Sequence, residues 1–204
     1  MPPIVSELIK FSVALGFKLD SPSFAQLRKT AVANGVKEQY YATCTDTPNT
    51  LLWVIQWRAD KGPLESVEFR EAIKALDVAG KPNSNYLPFA RASLPRAALT
   101  APVCELCFLH VNSTADKKSL AYSLNKTFTD CYYADGFTGG HWSTAINDDN
   151  MNYYYLGWES REVHRAFSKT ELFALELNNL MPHMDGSGVY FMKMTQELNG
   201  VVDE

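Results

Sequence analysis

The feature that most restricts how this chain can fold is a unit that occurs twice, about a hundred residues apart. In the second half, Tyr153-Tyr154-Tyr155-Leu156-Gly157-Trp158 is rich in residues that suit a pleated, packed surface. The chain turns polar at Glu159-Ser160 and becomes helical, and Ser168 to Glu171 reads as a capping box that fixes the start of the next helix. In the first half, Leu51-Leu52-Trp53-Val54-Ile55-Gln56-Trp57 is followed by a helical stretch from Glu65 to Leu76. Trp57 and Trp158 close the two strands. A repeat of this kind predicts two copies of one small domain, and 204 residues suffice for two of about 100.

The flanking segments extend the repeat. Ile4 to Val13 reads as a strand, and Asp20-Ser21-Pro22 opens a helix that carries Phe24, Leu27, Ala31 and Val32 and stops at Gly35. Glu38 to Thr45 and Thr50 to Arg58 are strands around the turn residues Asp46 to Asn49. Tyr86 to Ala92 is a strand that Pro88 confines to an edge. Ser93 to Pro102 reads as the link between domains. Val103-Cys104-Glu105-Leu106 then echoes Val5-Ser6-Glu7-Leu8 at the start of the second strand set. A helix capped by Ser113 or Thr114 puts Leu120, Leu124, Phe128 and Cys131 on one face. Tyr132 to Gly140 reads as a loop, and His141 to Ile146 and Met151 to Trp158 as strands. Lys169 to Met181 is a helix, Val189 to Thr195 the last strand, and Gln196 to Glu204 a loose tail.

Each half thus reads strand–helix–strand–strand–helix–strand, the ferredoxin-like βαββαβ order. The predicted class is α+β, with tandem ferredoxin-like units at 1–95 and 102–196, the second carrying the site. Both helices of such a unit lie on one face of an antiparallel sheet, so the other face needs a cover. The sheet of the other half would supply it, giving a dimeric α/β barrel within one chain. The same face could pair with a second chain, so a homodimer stays open.

Composition excludes several classes of function. A net charge of −4 gives no basic footprint for nucleic acid. No apolar run of 18 residues suggests a membrane span, and no signal peptide is evident, so a cytoplasmic location is expected. Cys104 and Cys107 form a Cys-x-x-Cys, but residues three apart on a strand face opposite ways, so no metal site is expected. No phosphate loop, nucleotide fingerprint or nucleophile elbow is present, so no cofactor is expected. Residues 1–101 hold 12 Lys/Arg and 9 Asp/Glu, whereas residues 102–204 hold 7 and 14 together with all four histidines, which directs attention to the second half.

The second half resembles the dimeric α/β-barrel superfamily, particularly its antibiotic-biosynthesis monooxygenase-like branch. The resemblance rests on Glu105-Leu106, on the run Tyr155-Leu156-Gly157-Trp158-Glu159-Ser160-x-Glu162-x-His164, and on the Phe/Leu-rich helix that follows. Glu7-Leu8 and Leu52 to Trp57 carry a degraded version, so the likeness covers nearly the whole chain and is similar to the fused, double-length form found in fungal secondary metabolism. It implies a hydrophobic small-molecule substrate, aromatic or polyketide-like, held between sheet and helices or loops. It also implies chemistry without a cofactor: cyclisation, isomerisation or elimination, oxygenation of a quinol- or anthrone-like substrate, or use of the fold for binding alone.

Strand alternation sorts the candidate residues. Tyr154, Leu156 and Trp158 share one face and match Trp53, Ile55 and Trp57, so they are assigned to packing under the helices. Tyr153 and Tyr155 then face the other way. His141 lies on the neighbouring strand, with Tyr41 as its approximate counterpart. A neutral imidazole there suits proton abstraction, and Tyr155 could stabilise the enolate formed. His141 and Tyr155 are therefore the expected catalytic pair. Tyr153, Trp142, His110 and Glu105 are the expected substrate-binding residues, with Glu105 buried in mid-strand and in need of a partner. His164 is expected to hold the link between strand and helix.

Overall fold

The structure is a computed structural model that describes residues 4–199. The chain forms two compact units, one comprising residues up to Leu94 together with those from Met194, the other Pro95–Lys193. Both are α+β, each with one antiparallel sheet, as expected of tandem ferredoxin-like units.

In the first unit the elements are β1 (Ile4–Ser12), α1 (Pro22–Ala33), β2 (Glu38–Thr43), β3 (Thr50–Arg58), α2 (Val67–Leu76) and β4 (Asn83–Phe89). β1 lies between β3 and β4, the split order that a ferredoxin-like unit requires. Alternate residues of β1 and β3, among them Ile9, Phe11, Trp53, Ile55 and Trp57, pack against Phe24 and Leu27 of α1 and Phe69 and Ile73 of α2. The edge of β2 is covered by a strand from the end of the chain, β9 (Thr195–Leu198), which pairs with Glu38–Tyr41. A loose tail was expected from Gln196. Pairing with β2 satisfies the backbone of its first residues, and Arg28 grips Glu197 at 2.9 Å. The tail residues 200–204 lie outside the described residues.

The second unit contains α3 (Arg96–Leu99), β5 (Val103–Val111), α4 (Lys117–Thr129), β6 (Phe137–Thr144), β7 (Met151–Trp158), α5 (Arg161–Phe167), α6 (Glu171–Leu180) and β8 (Met184–Met192). Its sheet order is β6-β7-β5-β8. Leu109, Tyr154, Leu156 and Trp158 on the helix face pack with Leu120, Leu124 and Phe128 of α4, Phe167 of α5 and Leu180 of α6.

Three local expectations are corrected. The Ser93–Pro102 link includes a short helix, α3, and Ala98 and Ala101 lie where a Cβ on Gly157 of β7 would stand. The side chain that caps α4 is Asp116, which accepts from the amide of Lys118, rather than Ser113 or Thr114. The helix that follows α5 is capped by Thr170 and not by Ser168. Ser160 caps α5 by accepting from Val163, and Thr170 caps α6 by accepting from Phe173, so Ser168 ends one helix instead of starting the next. No helix among the described residues is long and apolar enough to cross a membrane.

The register makes the repeat quantitative. Glu7 pairs with Ile55 and Val5 with Trp57; Glu105 pairs with Leu156 and Val103 with Trp158. Trp53, Ile55 and Trp57 therefore correspond to Tyr154, Leu156 and Trp158, as the sequence pattern predicts. One correspondence moves: Tyr41 pairs with Trp53 and Trp142 with Tyr154, so Tyr41 matches Trp142, and His141 matches Tyr40.

Candidate functional site

Between the sheet and helices of the second unit lies a cavity of about 300 Å³. Its floor is the helix face of β5 and β7: Glu105, Cys107 and Leu109 alternate on one strand, and Tyr154, Leu156 and Trp158 on the other. Phe173 and Leu177 of α6 line it from above, with Met181 and Met184 beyond them. Ser187 and Val189 of β8 line its side, and both are solvent-exposed, so the cavity opens along that strand. The sequence places these β7 residues on the correct face but reads the face as filled. The volume depends on how closely α6 approaches the sheet, which strand periodicity does not report.

Glu105 is the acidic group of this cavity. Its side chain is 7% exposed. Trp158 donates its indole N–H to Oε2 at 2.7 Å, and His164 Nε2 approaches the same oxygen at 3.5 Å. Burial pushes the Glu105 carboxyl up to about 7, against the lowering effects of the Trp158 hydrogen bond and the Arg161 charge. Burial likewise pulls His164 down to about 4, assisted by the charges of Arg161 and Arg165. The two groups are close enough for an ion pair, but the cost of burying both charges favours the neutral pair, with the proton on the carboxyl. The His164 ring is wedged between Trp158, 5.2 Å between centroids, and Phe191, 4.8 Å. It thus holds the strand–helix link, as expected, and lines the cavity beside Glu105 as well.

Of the residues expected to form the site, Glu105 lines this cavity and the other five do not. Tyr155 is fully buried on the opposite face of β7, and Tyr153 packs there on Phe108 at 5.8 Å. The His141 backbone pairs with Tyr155, but its imidazole stacks on Phe128 of α4, with centroids 5.4 Å apart. Trp142 stacks on Tyr154 at 5.8 Å and donates to Asn125 Oδ1 at 3.1 Å, behind the cavity wall. His110 stands at the end of β5, 3.6 Å from Asp148 and 3.9 Å from Asp185.

Cys107 and Cys131 also line the cavity. Burial pushes both thiols far above their usual range, so they stay protonated and unreactive. Among the described residues no group of His, Cys, Asp or Glu is placed to hold a metal ion.

In the first unit the equivalent carboxylate is engaged at both oxygens. Glu7 Oε2 accepts from Trp57 Nε1 at 2.8 Å, the same contact as in the second unit. Glu7 Oε1 is taken by Arg70 Nη1 at 2.6 Å, and Arg70 is itself clamped by Glu65. Trp53 and Phe69, the counterparts of Tyr154 and Phe173, meet edge to face with centroids 6.3 Å apart.

No family model matches the sequence, and neither does any curated protein. Solved structures match over nearly the full length of both chains. An anthrone oxidase-like protein shares 10% identity at a TM-score of 0.68, covering 98% of this chain and 95% of its own. A provisionally assigned monooxygenase of Fusobacterium nucleatum shares 12% at 0.64, covering 100% and 98%. Another, of Lactobacillus acidophilus, shares 13% at 0.62, covering 96% of each chain. At these identities the likeness shows a common fold: the chain has the double-length, tandem ferredoxin-like architecture of these proteins.

Proposed function

We propose that the protein is a cofactor-independent oxygenase acting in the cavity of the second unit on a hydrophobic, anthrone- or quinol-like molecule, with Glu105 as its base. The observation that carries this reading is a buried carboxyl, poised near neutral pH, on an otherwise largely apolar cavity. A base of this strength abstracts a proton and returns it within one cycle. The ionised carboxylate takes a proton from an acidic C–H between aromatic rings, or from a phenolic O–H. The carbanion or phenolate passes electrons to dioxygen, and the resulting peroxide anion recovers the proton from Glu105 as a hydroperoxide. Loss of water, with removal of the second hydrogen from the same carbon, leaves a carbonyl, so CH₂ and O₂ become C=O and H₂O. Trp158 fixes the carboxyl throughout, and the largely apolar lining gives the base and the carbanion a surrounding of low polarity.

Deprotonation alone would also serve cyclisation, isomerisation or elimination. The fold shared with an anthrone oxidase-like protein and two provisionally assigned monooxygenases favours the oxygen branch. The test is oxygen uptake with anthrone, measured above its spontaneous oxidation. Glu105→Gln is expected to lose about a hundredfold or more in rate, and His141→Ala to stay within a few-fold of the parent. Turnover without oxygen uptake would overturn the oxygenase assignment, and a fully active Glu105→Gln would overturn the site.

A further inference from the structure

We propose that the cavity selects ligands that place a hydrogen-bond donor, a phenolic hydroxyl, on Glu105 Oε1, the position that the Arg70 guanidinium holds on Glu7 in the first unit. The inference rests on the reading of the second-unit cavity as a ligand site and goes on to specify which atom of the ligand meets the carboxyl.

The two units present the same carboxylate in the same frame. Glu7 and Glu105 sit at equivalent positions of β1 and β5, opposite Ile55 and Leu156. In each, the indole of the strand-closing tryptophan donates to Oε2. The units differ at the second oxygen. In the first, Arg70 reaches it from α2 at 2.6 Å. In the second, both side-chain contacts to the carboxyl, from Trp158 and His164, fall on Oε2.

The helices explain the difference. Ser66 caps α2 by accepting from Phe69, and Thr170 caps α6 by accepting from Phe173. Aligned on these caps, Phe69 corresponds to Phe173, Ile73 to Leu177, and Arg70 to Ala174. The helix position that delivers a guanidinium in the first unit therefore carries a methyl group in the second. The carboxyl stays buried, its Oε2 stays pinned, and the donor for Oε1 is left to come from the ligand. A ligand donor at this oxygen would make a hydrogen bond to a charged acceptor in a largely apolar cavity, where such bonds are stronger than in water. A planar phenol fits a cavity with Tyr154, Trp158 and Phe173 in its walls; against the ionised carboxylate, the form that acts as base, a carbonyl or ether oxygen at that point would set acceptor against acceptor.

The test uses the full chain and two probes that differ in one group, 2-naphthol and 2-methoxynaphthalene, titrated by calorimetry at about pH 8.5, where the Glu105 carboxyl is ionised. The naphthol is expected to bind about tenfold more tightly than its methyl ether. Glu105→Leu is expected to remove that preference while the ether still binds. Should Glu105→Leu not fold, Ala174→Arg provides the second arm: it brings the first unit's guanidinium to the carboxyl and is expected to weaken naphthol binding more than tenfold. Equal binding of naphthol and ether by the parent protein would overturn the Oε1 assignment and leave the cavity standing. If neither probe bound, or if binding were unchanged by Leu177→Trp, which fills the cavity, the underlying site reading would fall as well.

Discussion

The pairing of Glu105 with His164 makes an unusual prediction for stability against pH. Burial raises the carboxyl from its usual 4.5 to about 7 and lowers the imidazole from 6.5 to about 4. At about 1.4 kcal/mol per unit, each shift is equivalent to about 3 kcal/mol. The signs are opposite. The raised carboxyl contributes stability that is fully present below pH 4.5 and is lost as the pH rises through 7, because only the folded state holds that proton in between. The lowered imidazole contributes stability that is present above pH 6.5 and is lost as the pH falls through 4. Between about 4.5 and 6.5 the folded pair carries one proton on Glu105 and the unfolded pair one on histidine, so the two slopes cancel. Single substitutions should uncover them. In His164→Gln, stability relative to the parent should fall by about 3 kcal/mol from pH 4 to 6.5, the window of the imidazole removed; in Glu105→Gln it should rise by a similar amount from pH 4.5 to 7, the window of the carboxyl removed. Urea unfolding across that range, read as the difference from the parent at each pH, isolates these terms from titrations common to all three proteins. If His164→Gln gained stability relative to the parent as the pH rose, the pair would be an ion pair in the folded state and the neutral description would be refuted.

Trp158→Phe removes the donor that lowers the Glu105 pKa, so the acid limb of the rate profile should move up by about one pH unit, as a hydrogen bond to a charged group implies; a profile measured from pH 5 to 9 reads this directly. Arg70→Ala leaves Glu7 buried without its cation and should cost about 3–5 kcal/mol in urea unfolding. Gly157→Ala should cost about 1–3 kcal/mol in the same assay, since a Cβ there would stand 2.2 Å from Thr138 Oγ1 and 2.9 Å from Ala98 Cα.

The fold was legible because period-2 alternation and helix periodicity are local properties. The Trp53/Ile55/Trp57 and Tyr154/Leu156/Trp158 correspondence follows from alternation, and the observed register agrees with it. Caps were less legible: Ser168 and Thr170 both suit an N-cap, and only the break after Phe167 decides between them. The strand at Thr195–Leu198 was missed because four polar and apolar residues carry no period of their own; an available sheet edge makes them a strand.

The sequence by itself determined the doubled α+β plan, the concentration of histidines and acidic residues in the second half, and Glu105 as a buried carboxylate in need of a partner. These follow from chain order and residue chemistry. Tertiary structure decided which face of β7 holds the cavity, and that Trp158 and His164 meet the same oxygen of Glu105. It also showed that Arg70 holds the second oxygen of the equivalent carboxylate, Glu7, in the first unit. Contacts between residues 53, 59 and 63 positions apart depend on how closely helices and loops approach the sheet, and that distance is set by packing across the whole unit rather than by any local pattern.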